Sequence, residues 1–177
     1  LENDLILSIN ISAKQIEENG FFDNTYMVLK ETQLSRIHFA LEITERSAMK
    51  ITDSLMDDIK RLQNNGISFS LDDFGMGHNS ILYLQEGIFD EVKLDGHLVT
   101  QLPGNGRSRD IISGIIRMAR SLDLRILAEY VETKEQRDIL AELGCGFYQG
   151  YYYSRPLPMD KLVEYIKTAG NTAEGQR

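Results

Sequence analysis

The sequence predicts an α/β fold in which parallel strands curl into a barrel that is incomplete, with about six strands. Three observations carry this. Six short apolar runs alternate with helical patterns, which implies a parallel sheet with right-handed crossovers. Within the runs, large apolar residues share one parity and small or polar residues share the other. Acidic and amide side chains then collect at the C-terminal ends of the runs. An open doubly wound sheet would want both faces uniformly apolar. A face of small and polar residues suits a crowded barrel interior whose C-terminal mouth holds a site. A barrel of this type needs eight strands and about 250 residues, so a chain of 177 residues with six strands falls two strands short.

The elements follow in order. Strand 5–11 opposes Leu5, Leu7, Ile9 and Ile11 to Ser8 and Asn10. Ser12-x-x-Gln15 is a capping box that opens a helix over 12–33. Strand 38–44 sets Phe39, Leu41 and Ile43 against Ala40 and Glu42, and a helix over 47–64 stops at Asn65-Gly66. Strand 67–73 sets Ile67, Phe69 and Leu71 against Ser68, Ser70 and Asp72. It runs through Asp72-Asp73-Phe74-Gly75 into a Gly-rich loop, followed by a helix near 79–86. Strand 89–95 ends with Lys93 and Asp95, and Ser108 is placed as the N-cap of a helix over 108–122 that carries Ile111, Ile112, Ile115 and Ile116. Strand 125–131 carries Glu129, and a helix over 133–143 lies between the capping box Thr133-x-x-Gln136 and the stop Leu143-Gly144. Strand 147–153 includes Tyr151-Tyr152-Tyr153, read as packing on both its faces. Arg155-Pro156-Leu157-Pro158 ends it, and a last helix covers 159–169. A single domain is expected over 1–170, with 171–177 a frayed polar tail.

Composition narrows the function. With 42% hydrophobic and 26% charged residues the chain reads as an ordinary globular domain. A net charge of -8 argues against a binder of polymeric nucleic acid, which is normally basic. A small anionic ligand stays compatible, because bound divalent cations reverse the local field. The single Cys145 rules out an internal disulfide and suits a reducing cytoplasm. No apolar stretch reaches membrane-spanning length, although a region upstream could still tether a longer protein to a membrane. The chain opens on Leu1 and enters a strand by Leu5, so it reads as a piece of something longer.

The polar-parity residues converge on one mouth: Asn10, Glu42, Asp72, Lys93 and Glu129, with Asp73 and Gln149 beside them. Carboxylates held together repel one another unless a cation sits among them. An all-oxygen donor set selects hard ions such as Mg²⁺ or Mn²⁺ over zinc. Two such ions, bridged by a carboxylate such as Asp72, form the usual clamp for in-line attack at phosphorus. Lys93 beside them could orient the attacking water or neutralise charge on a phosphate.

Seven motifs then occur in order: Ser8-Ile9-Asn10-Ile11-Ser12, Leu41-Glu42-Ile43-Thr44-Glu45, Asp72-Asp73-Phe74-Gly75, Lys93-Leu94-Asp95, Ala128-Glu129-Tyr130-Val131-Glu132-Thr133, Gln149-Gly150-Tyr151 and Ser154-Arg155-Pro156-Leu157-Pro158. Over about residues 5–166 the chain resembles the EAL domain, the cyclic di-GMP phosphodiesterase family. The resemblance implies a TIM-like (β/α)8 barrel of the EAL type and hydrolysis of one phosphodiester bond of cyclic di-GMP to the linear dinucleotide pGpG. It implies two Mg²⁺ or Mn²⁺ ions, with Ca²⁺ inhibitory. Asn10, Glu42 and Asp72 would hold one ion, and Asp72, Asp73 and Glu129 the second. Lys93 would hold the nucleophilic water, with Glu129 and Glu132 also placed in the catalytic set. Gln149 and Asp95 would contact substrate, and Glu45 would anchor the loop after Asp73, which couples dimer contacts to metal binding. A homodimer, and flanking sensory or diguanylate cyclase domains in a full-length cytoplasmic protein, are implied in the same way.

The departures are specific. The Glu-Ala-Leu strand that gives the family its name, and the strand pairing with it, are absent from this sequence, which matches the two strands missing from the barrel. Met76, His78 and Asn79 replace the usual Thr, Tyr and Ser, Tyr130 stands where Gly is common, and Gly96-His97 replace an Arg and a Ser. By parity with Ala128, Tyr130 is expected to face away from the site. Plainer readings stand beside the sharp ones: Asp72-Asp73 as a solvated turn, Lys93 as a surface lysine, Glu129 as a partner of Arg125, and His38, His78 and His97 as structural or exposed. A second function class, a cyclic di-GMP receptor or interaction module without turnover, remains open because the first metal Glu is missing. Unpaired edges at strands 5–11 and 147–153 are expected to favour edge pairing or strand exchange.

Overall fold

The computed structural model of the chain describes residues 5–32, 37–44, 51–75 and 80–173. Its elements are β1 (Leu5–Ile11), α1 (Ala13–Ile16), α2 (Phe21–Thr32), β2 (Ile37–Thr44), α3 (Asp53–Gln63), β3 (Ile67–Phe74), α4 (Ser80–Gln85), β4 (Glu91–Leu94), α5 (Gly96–Thr100), α6 (Gly106–Ser121), β5 (Arg125–Ala128), α7 (Lys134–Leu143), β6 (Phe147–Tyr148) and α8 (Met159–Ala173). The strands form one sheet in sequence order β1 to β6, every neighbouring pair parallel, and it curls into a half-barrel.

The two parities of each strand meet different surroundings. Leu41, Ile43, Phe69 and Leu71 pack with Ile59 and Leu62 of α3 in one apolar core, and Phe69 and Leu71 are fully buried. Each such side chain contributes about 1.5–3 kcal/mol of burial, so this outer layer between sheet and helices supplies most of the driving force. A second core joins Ile112, Ile116 and Ala119 of α6 to Ile126, Ala128 and Leu140. The opposite parity is also buried in the central strands, but it is small and polar: Ala40, Glu42, Ser70, Glu91 and Lys93. Register aligns Asn10, Glu42, Ser70, Glu91 and Arg125 in one row across five strands. Asn10, Glu42 and Ser70 in that row belong to the polar parity the alternation predicted, and Glu91 and Arg125 extend it.

Local signals account for most boundaries. Both capping boxes form, Ser12 with Gln15 and Thr133 with Gln136, and Gly144 ends α7 at φ 91°, a conformation costly to residues with a Cβ. Elsewhere the structure corrects the sequence reading. The helix expected over 12–33 is two helices, because the chain turns through Gly20 at φ 84°. Asn105, not Ser108, caps α6; its Oδ1 accepts from the N–H groups of Arg107 and Ser108, and Ser108 is buried inside the first turn. The short helix α5 was not anticipated; Asp95 opens it by accepting from His97 N at 2.7 Å. β5 and β6 end at Ala128 and Tyr148, so Tyr151, Tyr152 and Tyr153 lie in an exposed turn and are not strand residues. Tyr153 stacks on Tyr148 instead, with ring centroids 6.2 Å apart. α8 continues to Ala173, past the expected stop at 169.

Cys145 is buried, as expected of a small apolar residue after a helix stop, and burial pushes its thiol above the ordinary value. β1 is an edge strand on which Ile6, Leu7 and Ile9 stand exposed. No helix among the described residues is long and apolar enough to cross a membrane.

Replacing Thr133 by Ala removes the acceptor for Gln136 N and half of the capping box. It is expected to lower unfolding stability by about 1 kcal/mol in urea titration, with no change in the slope of the transition.

Candidate active site at the C-terminal mouth

Lys93 sits at the centre of the mouth. Its side chain is only 3% exposed, and its ammonium lies 2.9 Å from Glu42 Oε2, 2.8 Å from Glu129 Oε1 and 3.3 Å from Asp72 Oδ1. Three consecutive strands and the segment after β5 each deliver one member. Burial alone would pull the ammonium down, but the bonds to Glu129 and Glu42 and the charge of Asp72 outweigh it and hold Lys93 well above the ordinary lysine range. The lysine is therefore charged, and the reading of Lys93 as a surface residue is overturned.

Charge does not balance here. Among the described residues, three carboxylates against one ammonium leave two negative charges uncompensated when all are ionised. Glu129 reflects this: desolvation raises its carboxyl above the ordinary value, and the negative charges of Asp72 and Glu42 add to that, while Lys93 opposes it. Asp72 Oδ1 is buried and makes no hydrogen bond among the described residues, its contact with Lys93 being a purely ionic one. A buried carboxylate oxygen without a hydrogen-bond donor is costly unless something else neutralises it.

A regular strand would send Asp72 and Asp73 to opposite faces. Here the register of β3 against β4 shifts between Leu71 and Phe74, and Asp73 adopts a left-handed backbone at φ 57°. The bulge turns both carboxylates to the same side, as bulges beside active sites commonly do. Asp72, Asp73 and Glu129 consequently offer oxygens that all lie within 4.8 Å of one another. They line a cavity of about 360 Å³ together with Tyr130, Glu132, Gln149, Gly150 and Tyr151. All-oxygen donors, excess negative charge and an unsatisfied buried oxygen are what a hard divalent ion requires, so the residues present fit such an ion.

The remaining expected residues divide. Asn10 is exposed on the edge strand and stands in register with Glu42. Glu132 and Gln149 line the cavity, with Gln149 N donating to Ala128 O at 2.8 Å and Val131 N donating to Gln149 O at 3.0 Å. Asp95 uses Oδ1 to cap α5 and does not line the cavity. Glu45, Met76, His78 and Asn79 lie outside the described residues. His38 and His97 are exposed, as expected.

Two features escaped the sequence reading. Glu91 is a buried carboxylate that accepts from Ser70 Oγ at 3.0 Å and pairs with Arg125 Nε at 3.7 Å, which leaves Glu129 to Lys93 and not to Arg125. Its shared parity with Lys93 was the available signal. Tyr130 was expected to face away, yet it lines the cavity, because its left-handed backbone at φ 54° breaks the alternation after β5.

Residues 1–156 match the family model described as the EAL domain. The chain belongs to the EAL domain family. Among its relatives, the bifunctional diguanylate cyclase/cyclic di-GMP phosphodiesterase MucR of Pseudomonas aeruginosa is 35% identical over 160 residues, 90% of this chain and 23% of that protein. The chain spans between 20% and 23% of the length of the first three such relatives. The structure of the PaMucR phosphodiesterase in complex with c-di-GMP superposes with a TM-score of 0.78 at 35% identity, covering 88% of this chain and 69% of the other. The manganese/cyclic-diGMP complex of Klebsiella pneumoniae BlrP1 gives 0.74 at 26% identity, covering 85% and 38%. The EAL domains among these neighbours have the TIM-like barrel, and the six parallel strands described here are the corresponding part of it.

For the metal fit, the expected outcome is a rise in melting temperature when millimolar Mn²⁺ is added, by preferential binding to the folded state. Asp72→Asn, which removes one of the excess charges, is expected to abolish that rise in a thermal-shift titration while the metal-free protein melts no lower than the parent.

Proposed function

We propose that the chain is the phosphodiesterase domain of a cyclic di-GMP signalling protein, hydrolysing one phosphodiester bond of the cyclic dinucleotide to linear pGpG. The observation that carries this reading is the buried cluster in which Lys93 contacts Glu42, Asp72 and Glu129 while Asp73 closes on the same cavity. Relatives named as cyclic di-GMP phosphodiesterases, and neighbours with c-di-GMP bound, support the choice of substrate. Neighbours holding calcium or manganese with the dinucleotide support a metal at this place, and Mg²⁺ or Mn²⁺ is the working ion we assign.

Asp72, Asp73 and Glu129, with Glu42 and Asn10 on the neighbouring strands, are the residues that would hold two divalent ions. Such ions supply a nucleophilic water at neutral pH and neutralise charge on the transferred phosphoryl oxygens. Lys93, charged and fixed by carboxylates on three sides, donates a hydrogen bond to the attacking water and holds it in line. Because the ammonium is preorganised, no reorganisation is needed as negative charge develops. Glu132 and Gln149, which line the cavity, support the site and the bound substrate. Glu45 anchors the loop after Asp73, a homodimer couples to that loop, and Ca²⁺ competes without supporting turnover.

Purified protein incubated with cyclic di-GMP and Mn²⁺ is expected to yield linear dinucleotide by chromatography. Asp72→Ala should remove turnover, and Lys93→Met should lower kcat by about 10²–10⁴-fold with KM little changed. Tight binding of cyclic di-GMP without product, also when an upstream Glu-Ala-Leu strand is supplied, would replace the enzyme reading with the receptor one.

A further inference from the structure

Tyr130 is costly where it stands. Its backbone is left-handed at φ 54°, a conformation that disfavours any residue with a Cβ by about 1–2 kcal/mol. The residue is 60% exposed, so its ring gains little from burial. The ring nevertheless has a prepared seat. It lies directly against Gly96 in the first turn of α5, and a Cβ at that position would overlap the Tyr130 ring. The absence of a side chain at 96 and the presence of a large flat one at 130 are therefore complementary.

The flanking backbone is itself anchored. Glu129 N donates to Leu94 O at 3.3 Å, and Val131 N donates to Gln149 O at 3.0 Å, so the backbone is hydrogen-bonded on both sides of Tyr130. It lines the same cavity as Asp72, Asp73 and Glu129, so a phosphodiester at those carboxylates would bring its attached nucleoside to the rim where the ring lies. An exposed aromatic face fixed beside a phosphate-directed site is the arrangement that stacks a nucleobase, and base–aromatic stacking is sequence-tolerant and worth about 1–3 kcal/mol.

We infer that Tyr130, seated on Gly96, is a base-stacking platform that takes a purine of the dinucleotide substrate and sets affinity for it. This rests on the reading of the site as a cyclic dinucleotide phosphodiesterase. It assigns to Tyr130 a positioning role toward the base and no part in the bond-breaking step.

The test measures affinity for two ligands in the presence of Ca²⁺: cyclic di-GMP, and the same ribose–phosphate backbone without its bases. Tyr130→Gly relieves the left-handed strain, so it should melt no lower than the parent. It is expected to weaken cyclic di-GMP by between about 5- and 100-fold while the abasic backbone changes by less than about twofold. Gly96→Ala should weaken cyclic di-GMP in the parent by displacing the ring, yet have no further effect in the Tyr130→Gly background. Unchanged cyclic di-GMP affinity in Tyr130→Gly, or equal losses for both ligands, overturns the platform and leaves the phosphodiesterase reading standing. Failure of the unmodified protein to bind cyclic di-GMP overturns both.

Discussion

A single buried ammonium organises this mouth. Lys93 lies within 3.3 Å of carboxylates from β2, β3 and the segment after β5, three parts of the chain that would otherwise repel one another. Removing an ion pair of this kind from water costs several kcal/mol per ion, and the cost is recovered only if the geometry is close and the hydrogen bonds are made. Two of the three contacts are short hydrogen-bonded pairs, and the third, to Asp72, is ionic alone. The asymmetry matters: it leaves Asp72 Oδ1 as the oxygen with spare capacity, at the position where the bulge of β3 also delivers Asp73. Stability and chemistry thus draw on different layers of the same sheet, the apolar parity holding the fold and the polar parity holding charge.

That division explains what could be read from the sequence. Parity separates Phe69 and Leu71 from Ser70 and Asp72 in the sequence itself, because the period of two is a property of every extended strand. The polar row from Asn10 through Glu42 to Ser70 followed from it, as did the placing of Lys93. The capping boxes at Ser12 and Thr133 were legible because their geometry is local.

What escaped was wherever the backbone leaves the extended region. Asp73 and Tyr130 both adopt positive φ, and at each the alternation that predicts side-chain direction stops applying. For Asp73 the consequence was hidden, because the acidic pair was already assigned to the site. For Tyr130 it reversed the expectation, turning a residue placed on the outside into part of the cavity. Asn105 displaced Ser108 as a cap because two residues of matching chemistry lay within one turn of each other, and only the local dihedrals choose between them. Glu91 was overlooked although it shares parity with Lys93, because its partner Arg125 lies on the next strand and register is not visible in a single sequence.

The claim that Lys93 and its carboxylates act as one coupled unit is tested most directly by a double-mutant cycle. Urea unfolding of the metal-free parent, Lys93→Met, Glu129→Gln and the double variant isolates the interaction between the two groups. The account predicts a coupling energy of about 1.5–3 kcal/mol, with the double variant more stable than the sum of the single losses allows. A coupling indistinguishable from zero would show that the two groups act independently and would contradict it.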